Sequence, residues 1–274
     1  MVDATIGHGG HSFLFGQRLG SAGVLVGLDL DSKSLERARQ RLAGLACKVF
    51  LIKSNFSRVA ECLGELGITE ADFLLADLGL CSAQLSDSEL GLSFRADMPL
   101  DMRIDESLET TAADIINEWD EKSLADLIFR FGQDRASRRI ARFLVRRRER
   151  EPITTTGQLA QVVASALAGP GRKHESRKHP ATRTFQALRI AVNHELENLE
   201  QLLYAAPGCL KKDGYVAIIS YHSLEDGLVK RDFKRNEAEG VYRLLTKKPI
   251  SPSREEIAVN HRARSAKLRI AQKN

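Results

Sequence analysis

Val2-Asp3-Ala4-Thr5-Ile6-Gly7-His8-Gly9-Gly10-His11 opens the chain. It reads as a short buried strand over 2–6 that runs into a glycine-rich turn. Three glycines in four residues permit backbone conformations that a Cβ forbids and let a ligand approach the main chain. A helix is expected over 11–19, and a second strand, Val24-Leu25-Val26-Gly27-Leu28, ends in Asp29. A carboxylate at that position can accept hydrogen bonds from both hydroxyls of a ribose. The spacing is Gly-x-Gly-Gly, shorter than the dinucleotide fingerprint, so a nucleoside cofactor without a pyrophosphate, such as S-adenosylmethionine, fits better than a dinucleotide. An ordinary tight turn of an α/β protein would use the same glycines, and these residues alone leave both readings open.

Working outward, strands at 48–52 and 72–78 alternate with helices at 32–43 and 56–66. Asp31 or Ser32 is placed to cap the first of these helices, and Leu35, Ala38, Arg39 and Leu42 carry its period. Alternating strand and helix predicts a parallel sheet with helices on both faces. Right-handed crossovers then bring Asp29 and Asp77, the latter near the end of the 72–78 strand, to one edge, where ligands bind. The long segment after Asp77 contains Phe94, Met98, Pro99, Leu100 and Met102. It is too apolar for a tether and is expected to fold as a wall of the active site, with Asp101 and Arg103 as a structural ion pair.

From 110 to 206 strand signals vanish, and helices are expected over 111–118, 121–131, 133–150, 156–168 and 182–204. The third would carry Arg135, Arg139, Arg142 and Arg146 on one face, suited to a phosphate backbone or to plain solvation. The basic segment 169–180 reads as a linker that could order on RNA. The sheet resumes at 214–220. Tyr221-His222-Ser223-Leu224-Glu225-Asp226 then opens a helix to 236, with Ser223 and Asp226 in capping-box spacing, and a last strand is expected at 266–270. The domains expected are 1–105 and 207–274 for the sheet and 106–206 for an inserted helical substrate-binding domain.

Charge is uneven. Residues 1–100 hold 9 Lys and Arg against 12 Asp and Glu, whereas 101–274 hold 32 against 24. The basic surplus outside the cofactor half suits a polyanionic partner, most simply nucleic acid, although a solvated basic surface would carry it as well. No apolar run reaches the ~20 residues of a membrane span. The four cysteines, Cys47, Cys62, Cys81 and Cys209, have neither zinc-site nor disulfide spacing. A cytoplasmic setting with no metal is expected.

Several long motifs carry a resemblance. They are Asp3-Ala4-Thr5-x-Gly7-x-Gly9-Gly10-His11-Ser12, Asp77-Leu78-Gly79-x-x-Ser82-x-Gln84-Leu85 and Pro99-Leu100-Asp101-Met102-Arg103. To these are added His179-Pro180-Ala181-Thr182-Arg183-Thr184-Phe185-Gln186-Ala187-x-Arg189-Ile190, Ile219-Ser220-Tyr221-His222-Ser223-Leu224-Glu225-Asp226 and Arg262-Ala263-Arg264-Ser265-Ala266-Lys267-Leu268-Arg269. Together they resemble the MraW/RsmH-type ribosomal RNA methyltransferases. The resemblance implies a class I S-adenosylmethionine-dependent methyltransferase fold, an α/β Rossmann-like sheet with an inserted all-helical domain. It implies methylation of the N4 amine of a cytidine in small-subunit ribosomal RNA. Cofactor contacts would fall on Gly9, Gly10, His11, Asp29, Phe56, Asp77 and Gln84. Asp77 and His222 are the expected catalytic residues, with His222 as proton acceptor or base contact, or only as a helix cap. Cys81 stands where such proteins often have Ser. Met1 lies immediately before the first strand, where a leading segment is usual, so a shortened start is expected. Two rivals remain: a Rossmann enzyme for NAD or a nucleotide sugar, which would need the longer glycine fingerprint, and a non-catalytic S-adenosylmethionine- and RNA-binding assembly factor. The RNA substrate would be free ribosomal RNA or a particle, no membrane is expected as a partner, and the sequence leaves room for a homodimer.

Overall fold

The computed structural model describes residues 1–80, 84, 90–94, 96–168 and 179–274. Cys81, Ser82, Leu85 and most of the basic 169–180 segment lie outside the described residues. The chain divides into two compact units, Met1–Gly79 with Leu196–Asn274, and Leu80–Glu195.

In the first unit β1 (Val2–Asp3), β2 (Val24–Asp29), β3 (Lys48–Lys53), β4 (Ala71–Asp77) and β5 (Leu210–Ser220) are parallel. β7 (Lys267–Lys273) runs antiparallel between β5 and β6 (Tyr242–Leu244). The order is β3-β2-β1-β4-β5-β7-β6. This is the α/β Rossmann-like, doubly wound sheet expected from the sequence, with one late antiparallel strand. Side chains alternate across the pleat, so each face has its own core. Val26, Leu28, Leu74, Val216 and Ile218 pack on one side with Leu199, Leu202 and Leu203 of α9 (Glu195–Ala205). On the other, Leu25 packs with Ile6 and with Leu35, Ala38 and Leu42 of α2 (Ser32–Leu42). α1 (Gly10–Gly16), α3 (Val59–Glu65), α10 (Ser223–Ala238) and α11 (Arg254–Val259), with 3-10 turns at Phe56–Arg58 and His261–Ser265, complete this unit among the described residues. Those numbers follow α4–α8 of the second unit in the chain.

The second unit is helical: α4 (Ala112–Glu118), α5 (Glu121–Gly132), α6 (Ser137–Arg148), α7 (Thr156–Leu167) and α8 (Thr182–Val192). Of the apolar segment before α4, residues 96–103 are folded into this unit. Met98, Leu100 and Met102 are buried, Met98 N donates to Thr156 Oγ1 at 3.0 Å, and Gly157 N donates to Asp97 Oδ1 at 2.8 Å. The expected Asp101–Arg103 pair is bidentate, at 2.7 and 2.8 Å. No helix among the described residues is long and apolar enough to cross a membrane.

Several local expectations are corrected. Regular β1 covers only Val2–Asp3: the Asp3 carboxylate accepts from Thr5 N at 3.2 Å in a local turn, although Ala4 N still donates to Leu75 O at 2.8 Å and Ile6 N to Leu28 O at 2.9 Å. The single helix expected over 182–204 is two. His194 sits at φ 50, and Asn193 spends its amide on Met102 O and Ile104 N at 2.8 Å each. α6 begins at Ser137, so Arg135 is not on it. At α10 the capping box is formed by His222 and Glu225, one residue earlier than the Ser223–Asp226 spacing suggested.

Gly27 of β2 is a packing requirement: a Cβ there would sit 2.1 Å from Ile6 Cδ1 and 3.1 Å from Ile6 Cβ. Gly27→Val is expected to destabilise the protein by about 2 kcal/mol or more, the usual scale of overpacking. Urea unfolding of variant and parent measures it, and equal midpoints would show that Ile6 moves aside freely.

Candidate active site

Three neighbouring parallel strands end in carboxylates. Asp29, Asp3 and Asp77 are the last residues of β2, β1 and β4, at the carboxyl edge where α/β sheets bind ligands. Asp29 holds the first turn: its Oδ2 accepts from Gly7 N at 2.9 Å and its Oδ1 from Asp31 N at 2.8 Å. A carboxylate offers about four lone pairs, so acceptor capacity remains for a ribose diol. Burial pushes its pKa up, against the pull of those N–H groups. Gly7 and Gly9 have φ of +51 and +74, a left-handed backbone that favours glycine. Among the described residues, nothing beyond its chain neighbours lies within 4 Å of the position a Gly7 Cβ would take. The turn is therefore open as well as bent.

Asp77 is held from three elements. Its N–H donates to Thr5 Oγ1 at 2.6 Å, and the Tyr221 hydroxyl donates to its Oδ1 at 2.9 Å. His11 Nε2 lies 3.5 Å from its Oδ2. Asp77 in turn raises the pKa of His11, against desolvation. Tyr221 is pushed well above the usual phenol range by burial and by Asp77, so it stays a neutral donor. The Tyr221 ring lies on Gly79, at φ +101, where a Cβ would be 3.3 Å from the ring. Glycine in Asp77-Leu78-Gly79 therefore admits the ring that fixes Asp77.

Phe56 opens the 3-10 turn after β3, which Asn55 caps by accepting from Ser57 N at 2.9 Å. It is half-buried against the core. His222 is the N-cap of α10. Its Nδ1 accepts from Glu225 N at 3.4 Å, and Glu225 Oε2 accepts from Tyr221 N at 2.8 Å and His222 N at 3.2 Å. The geometry thus makes His222 a cap. Gln84 is buried and belongs to the helical unit. Gly9, Gly10, His11, Asp29, Phe56 and Asp77 all belong to the sheet unit.

Two residues escaped assignment from sequence. Asp3 is 2 % exposed and accepts from Ser12 Oγ at 2.7 Å; a carboxylate ending an apolar strand was the available signal. Tyr221 could be placed at the ligand edge as part of the turn after the 214–220 strand, but its role had no signal beyond its place two residues past Ile219, the partner of Asp77 in the β4–β5 ladder. The four-arginine stripe is broken. Arg142 lies 3.7 Å from Glu121, and Arg139 donates to Ala168 O at 2.8 Å.

Against this geometry, the family model described as the MraW methylase family matches residues 1–274. Relatives named ribosomal RNA small subunit methyltransferase H are similar over almost the whole chain. The one from Brevibacillus brevis is 42% identical, covering 99% of this chain and 91% of that protein. The one from Acidobacterium capsulatum is 48% identical, with 99% and 91% covered. The one from Koribacter versatilis is 46% identical, with 98% and 86% covered.

Burial raises the Asp3 carboxyl from 3.8 to about 6, despite hydrogen bonds from Ser12 and Thr5. Between those values the folded state binds more protons than the unfolded chain, so this group's contribution to stability falls as pH rises and is flat above about 6. Asp3→Asn keeps an acceptor for Thr5 N and loses the titration. Its stability relative to the parent is expected to rise across that window by on the order of 2 kcal/mol. Urea unfolding at stepped pH reads the difference, and a constant gap would show that Asp3 titrates normally.

Proposed function

Because the chain belongs to the MraW methylase family, we propose that it transfers a methyl group from S-adenosylmethionine to the N4 amine of a cytidine in small-subunit ribosomal RNA. One observation carries the reading. The glycine turn and the carboxylates of Asp29 and Asp77 stand at the ends of adjacent strands, with Asp77 held between Tyr221 and His11.

S-adenosylmethionine, when bound, supplies a methyl group on a sulfonium, a leaving group good enough that no covalent enzyme intermediate is needed. The residues present fit it. The remaining lone pairs of Asp29 suit the ribose hydroxyls, Phe56 offers an apolar surface to the adenine, and the backbone of Gly9 and Gly10, whose Cβ positions face α2, is the expected contact of the amino-acid part. His11, Asp77 and Gln84 complete the expected contacts. The negative sheet edge is complementary to a cationic cofactor.

A cytosine amine is a weak nucleophile, because its lone pair is delocalised into the ring. Asp77 orients it by accepting an N–H hydrogen bond, a positioning task. Tyr221 and His11 hold the carboxylate still for that purpose, and Tyr221 acts as a positioning residue. His222 uses its Nδ1 lone pair on Glu225 N, and its Nε2 lies buried 3.3 Å from Glu225 Oε1. Both ring nitrogens face Glu225, so the residue serves the start of α10 rather than the transfer of a proton. The target must leave its stack to reach such a site. The helical unit, 80–195, carries contacts to the surrounding RNA.

Asp77→Ala is expected to abolish methyl transfer. Tyr221→Phe, which removes one hydroxyl, should lower kcat by ~10-fold or more, while the Kd for S-adenosylmethionine stays within a few-fold of the parent. Labelled S-adenosylmethionine, small-subunit particles lacking the modification and nucleoside digestion read the product as N4-methylcytidine. Full activity of Asp77→Ala would place the chemistry elsewhere. Cofactor binding by the parent without any product would favour the assembly-factor alternative.

A further inference from the structure

Within the helical unit a cavity of about 780 Å³ is lined by Arg135, Arg139 and Arg183, with Asp134, Ala136 and Leu167 among its walls. All three arginines are exposed. Two are anchored through a single N–H: Arg139 Nη2 donates to Ala168 O at 2.8 Å and Arg183 Nη1 to Gln133 O at 3.2 Å. A guanidinium carries five N–H donors, so among the described residues most of theirs are left for a ligand. Asp134 is the acid among the lining residues. It is committed to the turn before α6, where its Oδ1 accepts from Ala136 N at 2.9 Å and its carbonyl from Ser137 N at 3.2 Å.

The helices bordering the cavity add to its positive field. α6 and α8 both begin after an alanine, Ala136 and Ala181, with no side-chain cap. Neither has an acid in its first turn. Arginines stand there instead, Arg138 and Arg139 in α6 and Arg183 in α8. Alanine is a poor N-cap, costing about 1 kcal/mol against Ser or Asp, and a cation at this end opposes the helix dipole. α4, α5 and α7 of the same unit follow the ordinary rule, capped by Thr111, Asp120 and Thr155. At this cavity the chain gives up capping stability and gathers positive charge.

Converging guanidinium groups and helix N-termini recognise a phosphate oxyanion. The volume is that of a small-molecule pocket, and it admits a phosphodiester with flanking sugars. We propose that this cavity seats a backbone phosphodiester of the RNA substrate, an anchor that grips the strand without reading a base. The choice of RNA rests on the function proposed above.

The test is equilibrium binding of unmethylated small-subunit particles to the full chain, with saturating S-adenosylmethionine, over a series of salt concentrations. Arg135→Ala with Arg139→Ala is expected to lower the slope of log K against log salt by about one and to raise KM for the particle ~10-fold. The Kd for S-adenosylmethionine should not move. Ala136→Asp leaves every arginine in place and puts a carboxylate into the cavity. It should weaken RNA binding similarly without lowering Tm, which separates a lost site from a lost fold. Lys122→Ala with Arg150→Ala removes the same charge from exposed positions outside the cavity, and should change binding less than twofold. A parent-like slope in both cavity variants, or an equal loss in the control pair, would overturn the proposal. So would inorganic phosphate that binds the parent while cavity variants keep full RNA affinity, since the ligand would then be a free anion. Binding is read without methyl transfer, so a parent that binds RNA but yields no N4-methylcytidine would count against the function and leave this test intact.

Discussion

Three carboxylates at the ends of three adjacent strands would repel one another, and the sheet edge survives because each is settled differently. Asp3 is buried and pushed toward its neutral form. Asp29 is held by backbone N–H groups of two turns. Asp77 is clamped between a phenol and an imidazole. The same repulsion is useful, because a site that must attract a sulfonium benefits from net negative charge. Had all three been neutralised by salt bridges, the edge would be more stable and less complementary to a cation. The glycines of the first turn follow from this arrangement, since Gly7 N can reach Asp29 only if the chain takes a left-handed step.

The helical unit handles charge in the opposite sense. There the departures from good capping collect at α6 and α8, beside the arginine-lined cavity. Local rules of stability are broken where a ligand supplies the missing interaction, and kept elsewhere. Under the two proposals the units would divide the electrostatic work, one presenting carboxylates to a cation and the other guanidinium groups to an anion.

The sheet was legible because strand and helix periods alternate strongly before Asp77, and Asp29 and Asp77 could be placed at one edge from strand order alone. What could not be read depends on contacts between distant residues. The break at Asn193 is made by Met102 and Ile104, some ninety positions away. β6 has three residues, too few for any alternation to show, and it forms because β7 offers a ladder. The arginine stripe looked continuous because a helical period counts positions and does not see where a helix begins. Arg135 falls two residues before that point, and Arg142 has Glu121 beside it. Of the site itself, the residues in glycine turns and at strand ends were readable, while Tyr221 acquires its role only from the β4–β5 register.

That register also explains why the residues after β5 act as one device. Ser220 ends the strand, and Tyr221 turns its hydroxyl onto Asp77. Glu225 accepts from the N–H groups of Tyr221 and His222, so the cap that starts α10 also fixes the backbone that aims the phenol. The next residue, Asp226, accepts from Arg269 Nε at 2.8 Å and Lys267 Nζ at 3.0 Å. Burial alone would raise its pKa, yet these two cations hold it below the usual carboxylate value. Lys267 and Arg269 lie on β7, so the motif near the C-terminus is the counterpart of the one after β5, and together they lock α10 to the sheet. A pair largely removed from water is costly unless both partners stay paired, so loss of either side would loosen the start of α10. The position of Tyr221, and through it the orientation of Asp77, therefore depends on an ion pair formed with the last strand of the sheet.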